Sequence, residues 1–242
     1  MSDLITSGML AENVGVNSSD FQIVNVAQKQ NKDAQVNRKK KADELYGQLI
    51  SVNRGKGMGG NNYPKQFEDV CLDIIKLIFE DEFVDPPINK QTHIKSFNGK
   101  DYQITDIEVG VTRQRNDAGN LWSDYCHELG EQLSRIVFEC KNYNYSISDM
   151  EVYQLFSYLG MSSKFGVLLV RNSCDNYSVL DGRGINTKAY EALRKINNLG
   201  SGRHMIFVFG EKEIKSLLDA YVTGSVIKFF HLQKLLFTRT FK

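Results

Sequence analysis

No apolar run in this 242-residue chain approaches the roughly 20 residues that a membrane span requires, and no secretory pattern opens it. The expectation is a soluble, cytoplasmic protein with no membrane partner. An excess of one charge is also missing: 30 Lys and Arg face 29 Asp and Glu, so the net charge is +1. Overall charge therefore does not advertise a nucleic-acid binder, and such a partner would have to be met by a local basic surface. The four cysteines, Cys71, Cys126, Cys140 and Cys174, form no Cys-x-x-Cys spacing. Three of them lie in or beside apolar runs, where a reduced thiol acts as a small hydrophobe, and a reducing compartment follows. His93, His127, His204 and His231 are scattered without zinc-ligand spacing, which argues against zinc chemistry. The glycine-rich segment at 55–62 lacks the Lys-Ser/Thr ending of a phosphate-cradling loop, so no ATPase motor is visible.

What the chain does have is 41% apolar residues, enough for one sizeable core with an appended arm. Residues 1–22 are polar and read as a weakly ordered start. Residues 23–52 gain helical character, with Val36, Leu45, Leu49 and Ile50 as a sparse stripe. This stretch contains the strongest basic run, Arg38-Lys39-Lys40-Lys41; residues 29–56 carry eight Lys or Arg against three Asp or Glu. A solvated helix face and a contact to DNA phosphates both fit such a run. Gly55, Gly57, Gly59 and Gly60 break any helix and read as a hinge. The expected division is an N-terminal helical arm with its hinge, 1–62, and a folded domain, 63–242.

Within that domain a helix starts at Pro64, with Phe67, Val70, Cys71, Ile74, Leu77 and Ile78 at the spacing of a buried stripe. Glu68 lies beside the stripe at the helix start, where the helix dipole favours a carboxylate. Thr92–Phe97 and Lys100–Val111 flank Asn98-Gly99, a hairpin signal. A helical stretch around Leu121–Leu129 precedes a strand at 136–141. Helices at about 149–160, 186–198 and 211–222 then alternate with strands at about 166–171 and 205–209, and an apolar helix from Val226 through Phe237 follows. The pattern is an α/β domain, a mixed central sheet flanked by helices in three layers.

The 136–141 strand carries the chemistry. Ile136-Val137-Phe138 is apolar enough for a central strand. Side chains alternate, so Glu139 and Lys141 share one face while Cys140 points into the opposite layer. A carboxylate and an ammonium so placed can hold a divalent cation and an attacking water if a second carboxylate arrives. A strand-end ion pair is the plainer alternative. Asp106 and Glu108 share one face of the preceding strand.

Glu139-Cys140-Lys141-Asn142-Tyr143, followed by Glu151-Val152-Tyr153-Gln154-Leu155, Tyr158-Leu159 and Phe165-Gly166-Val167-Leu168-Leu169-Val170-Arg171, resembles the PD-(D/E)xK nucleases of the restriction-endonuclease-like superfamily. Upstream, Gln103-Ile104-Thr105-Asp106-Ile107 and the helix opening at Phe67-Glu68 fit the same pattern, so the resemblance covers roughly 63–210. It implies a restriction-endonuclease-like core and a Mg²⁺-dependent DNA endonuclease, with Mn²⁺ as a substitute ion. Asp106, Glu139 and the Cys140 carbonyl would be metal ligands, and Asp106, Glu139, Lys141, Gln154 and Glu68 the catalytic set. The 33-residue interval from Asp106 to Glu139 is long for the family, no proline precedes the aspartate, and Asp101 and Glu108 compete for its role. Gln154 also reads as a solvated helix residue, with Tyr158 on its face. Asn142 and Tyr143 read as strand-end residues or DNA contacts, joining Arg38, Lys39, Lys40 and Lys41 as candidate DNA-binding residues. The implied partners are duplex DNA and a helicase or ATPase subunit, in restriction or antiphage defence; two cuts on a duplex favour a homodimer by analogy. A non-catalytic nucleic-acid-binding or assembly subunit of the same fold, and a ribonuclease, are the alternatives.

Overall fold

The computed structural model describes residues 18–54, 63–83, 88–95, 101–111, 135–142, 146–159, 165–171, 185–198 and 204–240. The expected glycine-rich hinge, the helical stretch around Leu121–Leu129 and Tyr143 lie outside them.

The chain forms two compact units, Met1–Lys41 and Ala42–Lys242. In the first, the described residues belong to helix α1 (Ser18–Asn53), which continues into the second unit. From Ala27 to Leu45 this helix has no Pro or Gly and a single β-branched residue, Val36, so its backbone meets little resistance to coiling. Val36, part of the sparse stripe, is 66% exposed. Residues 42–53 of the helix fall in the second unit. Ala42, Leu49 and Val52 are buried, and Asn53 Nδ2 donates to Glu211 Oε2 at 3.3 Å and to the Arg171 carbonyl at 3.4 Å.

The core unit is α/β. Its five strands are β1 (Ile88–Lys95), β2 (Asp101–Gly110), β3 (Arg135–Lys141), β4 (Phe165–Val170) and β5 (Met205–Phe209), in the order β1-β2-β3-β4-β5. The β1–β2 and β2–β3 pairs are antiparallel and the β3–β4 and β4–β5 pairs parallel, so the sheet is mixed, as expected. Parallel neighbours need crossovers, which α3 (Asp149–Leu159) and α4 (Thr187–Asn198) supply. The remaining helices among the described residues are α2 (Tyr63–Glu82), α5 (Glu211–Val222) and α6 (Val226–Thr240). No helix among the described residues is long and apolar enough to cross a membrane.

Alternation along the buried strands assigns the faces. Phe138, Phe165, Phe207 and Phe209 meet α2 and α6 through ring contacts with Phe79, Phe229, Phe230 and Phe237. The other face carries Glu139, Lys141 and Gly166 and is covered by α3. A Cβ on Gly166 would lie 3.0 Å from Leu159 Cδ2 and 3.1 Å from Leu155 Cδ2, so the missing side chain lets α3 sit directly on β4. Ser148 fixes where α3 starts: its Oγ accepts the Met150 N–H at 3.3 Å, and Glu151 Oε2 accepts the Ser148 N–H at 2.9 Å. This reciprocal cap sets the phase of the helix and hence the direction of Gln154.

Candidate active site

The β2–β3 ladder pairs Gly110 with Arg135 through to Ile107 with Phe138. One residue further the side chain of Asp106 takes over, its Oδ2 accepting the Cys140 backbone N–H at 2.7 Å. An apolar residue there would leave that N–H without this partner; the aspartate instead holds both strands with one carboxylate oxygen. In the same register Asp106 falls opposite Glu139, which brings together two carboxylates that are 33 residues apart in sequence.

Glu139 is 3% exposed and Lys141 8% exposed. Lys141 Nζ donates to Glu139 Oε1 at 2.7 Å and to Gln154 Oε1 at 3.0 Å, and Gln154 Nε2 donates to the Tyr158 hydroxyl at 2.5 Å. The α3 face expected to carry Gln154 and Tyr158 together thus joins the site. Glu139 Oε2 is buried without a hydrogen-bond partner. A buried carboxylate oxygen left unsatisfied is costly, and it stands where a hard cation would bind.

The electrostatics are those of crowded acids. Burial and then the Asp106 charge push the Glu139 carboxyl up to about 7 despite the Lys141 ammonium. Burial also raises Asp106, opposed by the Cys140 N–H and the charges of Lys141 and Lys90. Glu68 on α2 is raised by burial and then by Asp106, which ties it to the same cluster. The Cys140 thiol faces the α2 side. A hydrogen bond shared with Cys71, then burial, pushes it well up, which favours the protonated thiol.

Glu108, the competitor of Asp106, is already engaged. Its Oε1 accepts from Arg135 Nη1 at 2.5 Å and from Thr105 Oγ1 at 2.9 Å, while Arg135 Nη2 donates to the Tyr158 carbonyl at 3.1 Å. This is a structural tie between β2, β3 and α3. The side chain of Asp101 is outside the described set.

Among the described residues no group of three or more His, Cys, Asp and Glu side chains gathers closely enough to cage a metal ion. Mg²⁺ does not need a cage: one or two carboxylates suffice, with waters and substrate oxygens completing its shell. Asp106 and Glu139, with an unsatisfied Glu139 oxygen, fit that pattern. Asn142 follows Lys141 and is half-buried, its side-chain carbonyl oxygen buried without a hydrogen-bond partner. In the first unit Lys39, Lys40 and Lys41 are exposed and Arg38 is half-buried.

Lys90 was not legible as a member of this cluster. Its ammonium pairs with Asp69 and comes within 3.9 Å of Glu68 Oε2. Beside it Gln91 has φ 52°, the left-handed region, at a cost on the order of 1–2 kcal/mol for a non-glycine residue. Comparison with known protein families, characterised proteins and solved structures finds no match to this chain.

Proposed function

We propose that this protein is a Mg²⁺-dependent endonuclease of restriction-endonuclease-like fold that hydrolyses phosphodiester bonds in double-stranded DNA. The observation that carries the reading is the convergence of Asp106, Glu139 and Lys141 where β2 and β3 separate, with one Glu139 oxygen buried and unsatisfied. A structural ion pair needs neither a second carboxylate across the strand nor an orphaned oxygen.

In this reading Asp106 and Glu139 would hold the ion, and the Cys140 carbonyl would be a further ligand. When bound, Mg²⁺ supplies Lewis-acid polarisation of the phosphate and lowers the pKa of water. Lys141 orients the attacking water and offsets negative charge as it builds on the phosphate, a task suited to a compact point charge. Gln154 keeps the Lys141 ammonium aimed, and the Tyr158 hydroxyl fixes the Gln154 amide in turn. Glu68 completes the acidic edge from α2. Arg38, Lys39, Lys40 and Lys41 add phosphate contacts that carry no sequence information, and Asn142 and Tyr143 contact the strand being cut.

The biological setting that goes with this activity is restriction or antiphage defence in the cytoplasm. A helicase or ATPase subunit supplies translocation, and two copies cut the two strands. The test is to incubate supercoiled plasmid, linear duplex, single-stranded DNA and RNA with the protein, in Mg²⁺ or in EDTA, alone and with neighbouring gene products. Duplex cleavage that EDTA abolishes supports the reading. RNA cleavage alone would replace DNA by RNA, and binding without any cleavage would favour an assembly subunit.

A further inference from the structure

Asp106 lies in the field of two ammonium groups, and only Lys141 has a task above. Lys141 is 9% exposed at its side chain and tied to Glu139 and Gln154, so it cannot follow an incoming strand. Lys90 on β1 differs. Its side chain is 23% exposed, and its partners, Asp69 and Glu68, lie near the start of α2. Gln91 beside it is the single non-glycine residue of positive φ among the described residues. It sits between the pairs Lys90–Ile107 and Thr92–Thr105, hence across from Asp106. An ion pair with Asp69, itself 51% exposed, contributes little to stability and does not explain a strained strand at this point. Strained backbone persists where surrounding structure over-determines it, and it concentrates at functional sites.

We propose that Lys90 contacts a phosphate of the substrate strand from the α2 side of Asp106. The inference rests on the nuclease reading above. A lysine stem can swing from Asp69 to a phosphate oxygen without moving the backbone, and an ammonium binds phosphate as a point charge. Lys141 then acts at the reacting atoms while Lys90 seats the strand.

The test reads binding as well as cleavage. Affinity for a short duplex is measured by fluorescence anisotropy in EDTA over a series of salt concentrations, for the wild type, Lys90→Gln, Lys90→Arg and Asp69→Asn. Losing one phosphate contact should flatten the slope of log K against log salt by about 0.9 in Lys90→Gln. Lys90→Arg should keep the slope, and so should Asp69→Asn, which frees the ammonium. Single-turnover cleavage in Mg²⁺ should fall for Lys90→Gln at subsaturating DNA and recover at saturation. A wild-type slope in Lys90→Gln, or the same flattening in Lys90→Arg, overturns the inference while wild-type cleavage leaves the nuclease reading standing. A wild type that neither binds nor cuts any nucleic acid overturns both.

Discussion

Glu139→Gln should make the metal-free protein more stable at alkaline pH. Burial and the Asp106 charge raise the Glu139 carboxyl from 4.5 to about 7, so the folded state binds that proton more tightly than the unfolded chain does. The extra stability is fully present below 4.5, declines as pH rises through the folded value near 7, and is gone above it. The shift corresponds to about 3 kcal/mol, at roughly 1.4 kcal/mol per unit. A glutamine copies the protonated acid in shape and can still accept the Lys141 hydrogen bond, but it never takes on the charge. In EDTA near pH 8 the variant should therefore exceed the wild type by about 3 kcal/mol, or roughly 6–12 °C in Tm for a chain of this size. Near pH 5 the gap should narrow to a small remainder. Mg²⁺ should raise the Tm of the wild type and leave the variant unmoved, because it binds the charge the variant lacks. Thermal melts from about pH 5 to 8, with and without Mg²⁺, read all of this. A variant less stable than the wild type at pH 8 in EDTA would show that the Glu139–Lys141 pair is net stabilising, and the account of a site strained for ion binding would fail.

Asp106→Asn should abolish Mg²⁺ binding in calorimetry without lowering Tm in EDTA, since an amide oxygen can still accept the Cys140 N–H and a buried charge is removed. Glu108→Gln should do the reverse. It breaks a half-buried tie to Arg135 and costs on the order of 2 kcal/mol in denaturant unfolding, while cleavage at permissive temperature survives. Activity lost in Glu108→Gln and kept in Asp106→Asn would exchange their roles. Replacing Arg38, Lys39, Lys40 and Lys41 together by Gln should weaken duplex binding alike across sequences and flatten its salt slope, with cleavage retained at saturating protein. An unchanged slope would make that run a solvated face or a protein-docking surface.

The central strand and the described elements after it were readable because local pattern and tertiary role agree. β3 and β5 are short apolar runs, and α3 to α6 show apolar residues at helical spacing between breakers. β1 was not fully readable. Its first four residues, Ile88-Asn89-Lys90-Gln91, are mostly polar, and as an edge strand β1 takes its register from β2 rather than from a buried face of its own. Lys90 was missed for the same reason, since only pairing and the approach of α2 bring it beside Glu68 and Asp69. The sparse stripe of α1 fixes no rotation: Val36 is exposed, and Ala42, Leu49 and Val52 are what the core takes. Glu139 and Lys141 could be read from two-residue alternation alone. Alternation alone does not separate Asp106 from Glu108: both point the same way from β2, and the tie of Glu108 to Arg135, a cross-strand neighbour 27 residues on, is not written in that pattern.

The most direct measurement is single-turnover cleavage of duplex DNA by the wild type, Glu139→Ala and Lys141→Ala, each in Mg²⁺ and in EDTA, with DNA affinity and Tm recorded on the same preparations. Groups that act mainly in the transition state should affect turnover far more than binding. The expected result is cleavage by the wild type in Mg²⁺ alone, with both variants folded, binding DNA at near wild-type affinity and inactive. Equal cleavage by all three proteins, or wild-type cleavage that persists in EDTA, would contradict the account.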